Sequence, residues 1–182
     1  MAIKATIFKL NLSISDMNRG YYQDHALTIA RHPSETDLRM LVRIAVFALH
    51  AHEYLQFTKG LSDSDEPDLW QKSLTGDIDH WIELGQPTEK RIRQSCGKSA
   101  LVSIYTYQKR AAQVWFEGIK SSLGRFDNLN VIQLELADEK VVERIIDRSM
   151  DLTCLIEDEH LLLNSPTENL SISLEILKKA SR

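Results

Sequence analysis

The stretch DIDHWIELGQPTEKR, residues 77–91, carries acids at Asp77, Asp79 and Glu83 along one short apolar run. Carboxylates are the ligands of hard cations such as Mg²⁺, which takes one or two of them and completes its shell with water. In a strand, residues two apart share a face. Asp77, Asp79, Trp81 and Glu83 are therefore expected on one side, and Ile78, His80, Ile82 and Leu84 on the other. Two carboxylates four residues apart on a straight strand stand about 13 Å from each other. Asp79 and Glu83 can share one ion only across a bend or bulge; otherwise Glu83 needs an acid from another element. The plain alternative is a half-exposed strand with solvated acids.

Other groups invite the same double reading. Glu35 lies where a helix begins, so it is either a ligand or an acid favoured there by the helix dipole. Lys90, Arg91, Arg93 and Lys98 put positive charge on the segment after the acidic strand, to bind phosphate, to stabilise developing negative charge, or as a solvated helix face. Lys109 and Arg110 follow Tyr105 and Tyr107, an interleaving that suits single-stranded nucleic acid and equally a packed strand end. His50 and His52, two apart, point in different directions on a helix and form no helical metal pair. No GxSxG, P-loop or GxGxxG motif occurs. Cys96 and Cys154 show neither metal spacing nor a disulfide framework and read as reduced structural thiols.

The elements that must position these groups follow from periodicity. Phe8, Leu10, Leu12 and Ile14 alternate with polar residues, as in a strand. Ala5 and Ile7 are out of phase, which predicts a bulge or change of face near residues 7–8. A second strand over 22–31 is expected to close a hairpin. The stretch HPSETDLRMLVRIAVFALHAHEYL, residues 32–55, is the clearest helix; Pro33 and Ser34 precede it, Ser34 and Asp37 are in capping-box spacing, and its apolarity is broad enough for a helix covered on more than one side. The polar linker 58–76 is expected to hold a short helix from Pro67 to Ser73. Beyond it the pattern predicts strand 78–84, helix 88–98, strand 101–107, helix 110–122, strand 130–136 and helix 139–149. Strands at 151–157, 160–164 and 169–177 close the chain. This describes a mixed α/β (α+β) protein, a central mixed sheet flanked by helices, in one domain over residues 1–182.

The chain has 182 residues, 43% hydrophobic and 26% charged, with a net charge of −4, in the range of soluble globular proteins. An acidic balance lowers the prior for a dedicated duplex-DNA binder. No apolar run approaches the roughly 18 residues of a membrane span, and the alternating N-terminus is unlike a signal peptide. The expected location is the cytoplasm, away from membranes, and the expected state a monomer.

The segments MAIKATIFK, ARHPSETDLRML, LQFTKGLSDSDEPDLW, DIDHWIELGQPTEKRI and YTYQKRAAQVWF closely resemble the YaeQ family of bacterial proteins, over essentially the whole chain. The resemblance implies a variant of the PD-(D/E)XK nuclease fold, a restriction-endonuclease-like core here extended by antiparallel strands at both termini. That superfamily uses a helix-borne Glu, an Asp near a strand start and (D/E)XK on the next strand; the acids hold Mg²⁺ (or Mn²⁺) and the Lys helps activate water. Glu35 matches the helix acid and Glu83-Leu84 the (D/E)X part, while Gly85 stands where the Lys belongs. The remaining acid is Asp79, with Asp68 of Pro67-Asp68 as its rival. Lys90 is the expected migrated lysine, with Gln86 and Arg91 as rivals, although an arginine stays protonated and serves poorly in proton transfer. Implied partners are nucleic acid or a protein of the transcription machinery. The function implied is either a Mg²⁺-dependent phosphodiesterase or a non-catalytic binding or regulatory protein on the same scaffold.

Overall fold

The computed structural model describes residues 4–181. The chain opens with a hairpin, β1 (Thr6–Asp16) and β2 (Tyr21–Arg31), followed by helix α1 (Asp37–His50). Short strands β3 (Leu55–Phe57) and β4 (Leu69–Lys72) flank a 3₁₀ turn at Gly60–Ser62 and lead to β5 (Ile78–Leu84). Helix α2 (Glu89–Lys98), β6 (Ser99–Thr106), α3 (Lys109–Leu123) and β7 (Leu129–Leu136) alternate in the middle. A 3₁₀ turn (Glu139–Val141) and the short α4 (Val142–Ile145) precede β8 (Ser149–Glu157), β9 (His160–Asn164) and β10 (Asn169–Lys178). All the strands join one sheet in the order β2-β1-β8-β9-β10-β7-β6-β5-β4-β3. Among the described residues only β1/β8, β5/β6 and β6/β7 pair in parallel. The fold is mixed α+β on a large, mostly antiparallel sheet. Among the described residues no helix is long and apolar enough to cross a membrane.

Two apolar cores flank the sheet. In the first, Leu10, Leu12, Leu152 and Leu163 of the outer strands pack with α1, with Ile82 and Leu84 of β5, and with Val142 and Ile145. Met40 to Ala48 of α1 are buried without a break, which matches a helix covered on more than one side. The second core joins Trp81, Val102, Ile104, Leu129 and Val131 to Ile92 of α2 and to Trp115 and Ile119 of α3. Strands β5–β7 are thus covered on both faces.

Several local expectations are corrected. No bulge interrupts β1: its register with β2 is unbroken from Thr6↔Arg31 to Asp16↔Tyr21. Ala5 precedes the strand, and Ile7 simply faces out. The N-cap of α1 is Thr36, whose hydroxyl accepts the Arg39 N–H at 3.1 Å. Ser34 sits in a turn closed by the Glu35 N–H on the His32 carbonyl, so the extended capping conformation falls two residues later. The stretch expected as a helix from Pro67 to Ser73 contains β4, because pairing with β5 overrides a weak local helix signal. Helical structure near 139–149 is confined to residues 139–145, since the chain must enter β8 at Ser149. The two-face pattern of β5 also breaks. Gln71 pairs with His80 but Lys72 with Ile78, leaving Asp79 as an extra bulged residue. Ile78 accordingly packs into the core of Trp81, not that of Ile82.

Candidate functional site

Glu83 lies at the C-terminal end of β5, at a cleft of about 320 Å³ also lined by Arg39, Asp68, Arg91 and the loop around residues 60–67. The Trp81 indole N–H, two residues earlier on the same face, donates to Glu83 Oε2 at 2.8 Å. From α2, Arg91 Nε donates to Glu83 Oε1 at 3.1 Å and Oε2 at 3.3 Å. The same guanidinium donates through Nη1 to the Ser64 carbonyl and through Nη2 to that of Glu66, the latter at 2.7 Å. Arg91 therefore ties strand, helix and loop together. Burial raises the Glu83 carboxyl above its ordinary range, and Arg91 pulls the other way.

Asp68, immediately before β4, continues that strand's ladder: its N–H bonds the Ile82 carbonyl at 3.0 Å. Its carboxylate takes the next donor along, the Leu84 N–H at 2.8 Å, on Oδ2, and Arg39 Nη2 at 2.5 Å on Oδ1. Behind Arg39, Glu35 accepts from Arg39 Nη1 at 3.2 Å and from Arg43 Nη2 at 2.8 Å. The Glu35 and Arg43 side chains are each only 2% exposed. Desolvation lowers the Arg43 pKa, with Glu35 and Asp68 opposing. Burial raises the Tyr107 phenol, which lies within the field of Arg39, Asp68 and Glu35. Gly60, at φ +53, passes so close that an added Cβ would lie 3.6 Å from Asp68 Oδ1 and 3.8 Å from Arg43 Nη1.

The result is a neutral lattice of three acids, Glu35, Asp68 and Glu83, and three arginines, Arg39, Arg43 and Arg91. The expected residues divide accordingly. Glu83 and Asp68 line the cleft and Glu35 stands one ion pair behind it. Asp79 does not join them: it lines a separate shallow groove with Asp77 and Lys98 near the start of β5. Lys90 is exposed and lines an adjoining groove along α2. Gln86 is exposed in the turn after β5. Gly85 adopts φ +96 and donates its N–H to the Tyr105 carbonyl at 2.8 Å.

This donor set does not fit Mg²⁺ or Mn²⁺. Among the described residues no three or more His, Cys, Asp or Glu side chains are grouped to hold a metal. Each acid of the lattice already accepts from a guanidinium, so an added cation would sit against positive charge. Arg39 and Arg43 were not among the residues expected from sequence. The available signal was an arginine inside the apolar run MLVRIAVFA, residues 40–48, because such a charge is buried only with a partner.

A second polar cluster lies at the far end of α1. His50 Nε2 and Tyr105 Oη are 2.6 Å apart, His80 Nε2 and Ser103 Oγ 2.8 Å apart. The two imidazoles meet edge to face at 4.7 Å between centroids. Burial lowers the His80 pKa to about 4 and that of His50 well below its ordinary value, and it raises the Tyr105 phenol. His52, past the helix end, is exposed. Both cysteines are free thiols; burial raises Cys96 to about 11 and Cys154 to about 12.

Comparison with known proteins places this arrangement. The family model described as YaeQ protein matches residues 1–174. The chain is 40% identical over 181 residues to the Escherichia coli (strain K12) protein named Uncharacterized protein YaeQ, covering 100% of both. The same values hold for the Shigella flexneri protein of that name. The crystal structure of YaeQ from Xanthomonas axonopodis pv. citri superposes with a TM-score of 0.89 at 40% identity, over 96% of this chain and 98% of that one. YaeQ from Pseudomonas syringae gives 0.89 at 31% identity, over 98% of each. On sequence and fold together, the chain belongs to the YaeQ family.

Proposed function

We propose that this chain is a non-catalytic nucleic-acid-binding protein on a PD-(D/E)XK nuclease-like scaffold. Support for the scaffold comes from three placements. Glu35 stands just ahead of α1, Asp68 at the start of β4, and Glu83 near the end of the next strand, with β5, β6 and β7 parallel and joined through α2 and α3. Asp68 rather than Asp79 then fills the role of the middle acid. The observation that carries the non-catalytic reading is the pairing of all three acids with arginines, which leaves no free carboxylate pair. Gly85 at the lysine position agrees with it. Bulk charge is no obstacle, because binding requires only a local cationic surface.

Phosphodiester hydrolysis is the second reading, favoured by the gathering of Asp68 and Glu83 at one cleft. The two are separated by incubating single- and double-stranded substrates with wild type and Glu83→Ala in Mg²⁺ or Mn²⁺, alongside a binding assay. Binding with no cleavage above background is expected. Cleavage by the wild type that disappears in Glu83→Ala would overturn the non-catalytic reading.

A further inference from the structure

Helix α2 concentrates positive charge. It carries Lys90, Arg91, Arg93 and Lys98 against Glu89 alone, an excess of three positive charges in a chain of net charge −4. Arg91 is paired with Glu83, and Glu89 with Arg125. Lys90, Arg93 and Lys98 are exposed, and among the described residues none of them has an ion-pair partner. Lys90, Gln94 and Lys98 follow one another at the four-residue spacing that aligns side chains on one helix face. All three line a groove of about 330 Å³ in which Asp65 is the only acid. Arg91 and Ser64 line both this groove and the cleft at Glu83.

We infer that the α2 groove is a docking strip for the phosphodiester backbone of a single nucleic-acid strand, contacted through its phosphates alone. The inference rests on the nucleic-acid-binding reading and assigns it a surface outside the acidic cleft. The two lysines stand two helical turns, about 12 Å, apart. Compact ammonium groups at that separation suit point charges repeated along a chain, whereas a single oxyanion is better gripped by the planar fork of an arginine. The Gln94 amide between them supplies a neutral donor. No aromatic face is offered for stacking: Trp81, in the groove wall, is 2% exposed. Contact without base stacking or base-edge readout is independent of sequence.

The test is fluorescence anisotropy of a short labelled mixed-sequence DNA single strand over a range of KCl concentrations. It compares wild type, the double variant Lys90→Gln/Lys98→Gln, and a control, Lys140→Gln/Lys179→Gln, all checked for folding by thermal unfolding. Wild type and control are expected to bind alike. The α2 variant should bind about tenfold more weakly at low salt, with a salt slope shallower by about 1.4, or 0.7 for each lost phosphate contact. An unchanged affinity and slope in the folded α2 variant overturns the strip and leaves the binding reading standing. No binding by the wild type at any salt overturns both. Full displacement of the strand by inorganic phosphate at ionic strength held constant identifies a single-phosphate site and overturns the strand assignment.

Discussion

Strands β8 and β5 belong to one sheet and meet opposite surroundings. Along β8, buried and exposed residues alternate without exception: Met150, Leu152, Cys154 and Ile156 face inward, and Asp151, Thr153 and Leu155 face outward. Along β5, the neighbours Trp81 and Ile82 are both buried, one in each core. The consequence shows in the polar residues. Of the buried polar side chains within strands, among the described residues only Asp16 lies in the open-faced half. His80, Ser103, Thr106 and Gln133 all lie on β5–β7, and each is hydrogen-bonded. Covering both faces removes water as a partner, so every polar group there has to be satisfied from within. The ion-pair lattice and the histidine cluster both border this doubly covered half.

The sharpest way to break this comparison is to delete a side chain from the covered face. Trp81→Ala should cost about 3–5 kcal/mol in denaturant unfolding, and Thr153→Ala, on the open face of β8, less than about 0.5 kcal/mol. Equal costs would mean that the second face of β5 is not closed. Next comes the lattice. Glu35→Gln removes the ion-pair partner of the buried Arg43 and should destabilise by about 3 kcal/mol. Glu135→Gln, which breaks the half-exposed pair with Lys109, should change stability by less than about 1 kcal/mol. A Glu35→Gln protein as stable as wild type would show that the buried Arg43 does not depend on the Glu35 charge.

A third test is in pH. His50 and His80 are held neutral, with pKa values below the ordinary 6.5. Between 6.5 and each folded value the unfolded chain binds more protons, so their contribution is complete above pH 6.5 and is lost as pH falls through the folded values, about 4 for His80. Each histidine should add a slope of about 1.4 kcal/mol per pH unit within its window. His80→Gln should remove one share of that slope, which unfolding curves collected between those limits would reveal.

What could be read from the sequence divides along the same line. Alternation identified β1, β8, β9 and β10, because one open face leaves period two intact. The broad apolarity of α1 also announced a helix with cover on several sides. Strands β3 and β4 were not legible: three or four residues carry no period, and their partners lie elsewhere in the chain. The bulge at Asp79 was invisible for the same reason, whereas the separation of Asp79 from Glu83 follows from strand spacing alone. Glu35, Asp68 and Glu83 could each be singled out by type and motif. Arg91 could too, as a rival for the missing lysine, but Arg39 could not, since it reads locally as an ordinary helix-surface residue.

Gly85 fixes the turn that leads from β5 toward α2. At φ +96 the backbone occupies a region that side chains with a Cβ rarely adopt, and its N–H is committed to the Tyr105 carbonyl. A side chain introduced there would bring strain with it, relieved only at the expense of the bond that holds the turn to β6. The entry into α2, and with it the placement of Arg91 against Glu83, therefore hangs on this one glycine.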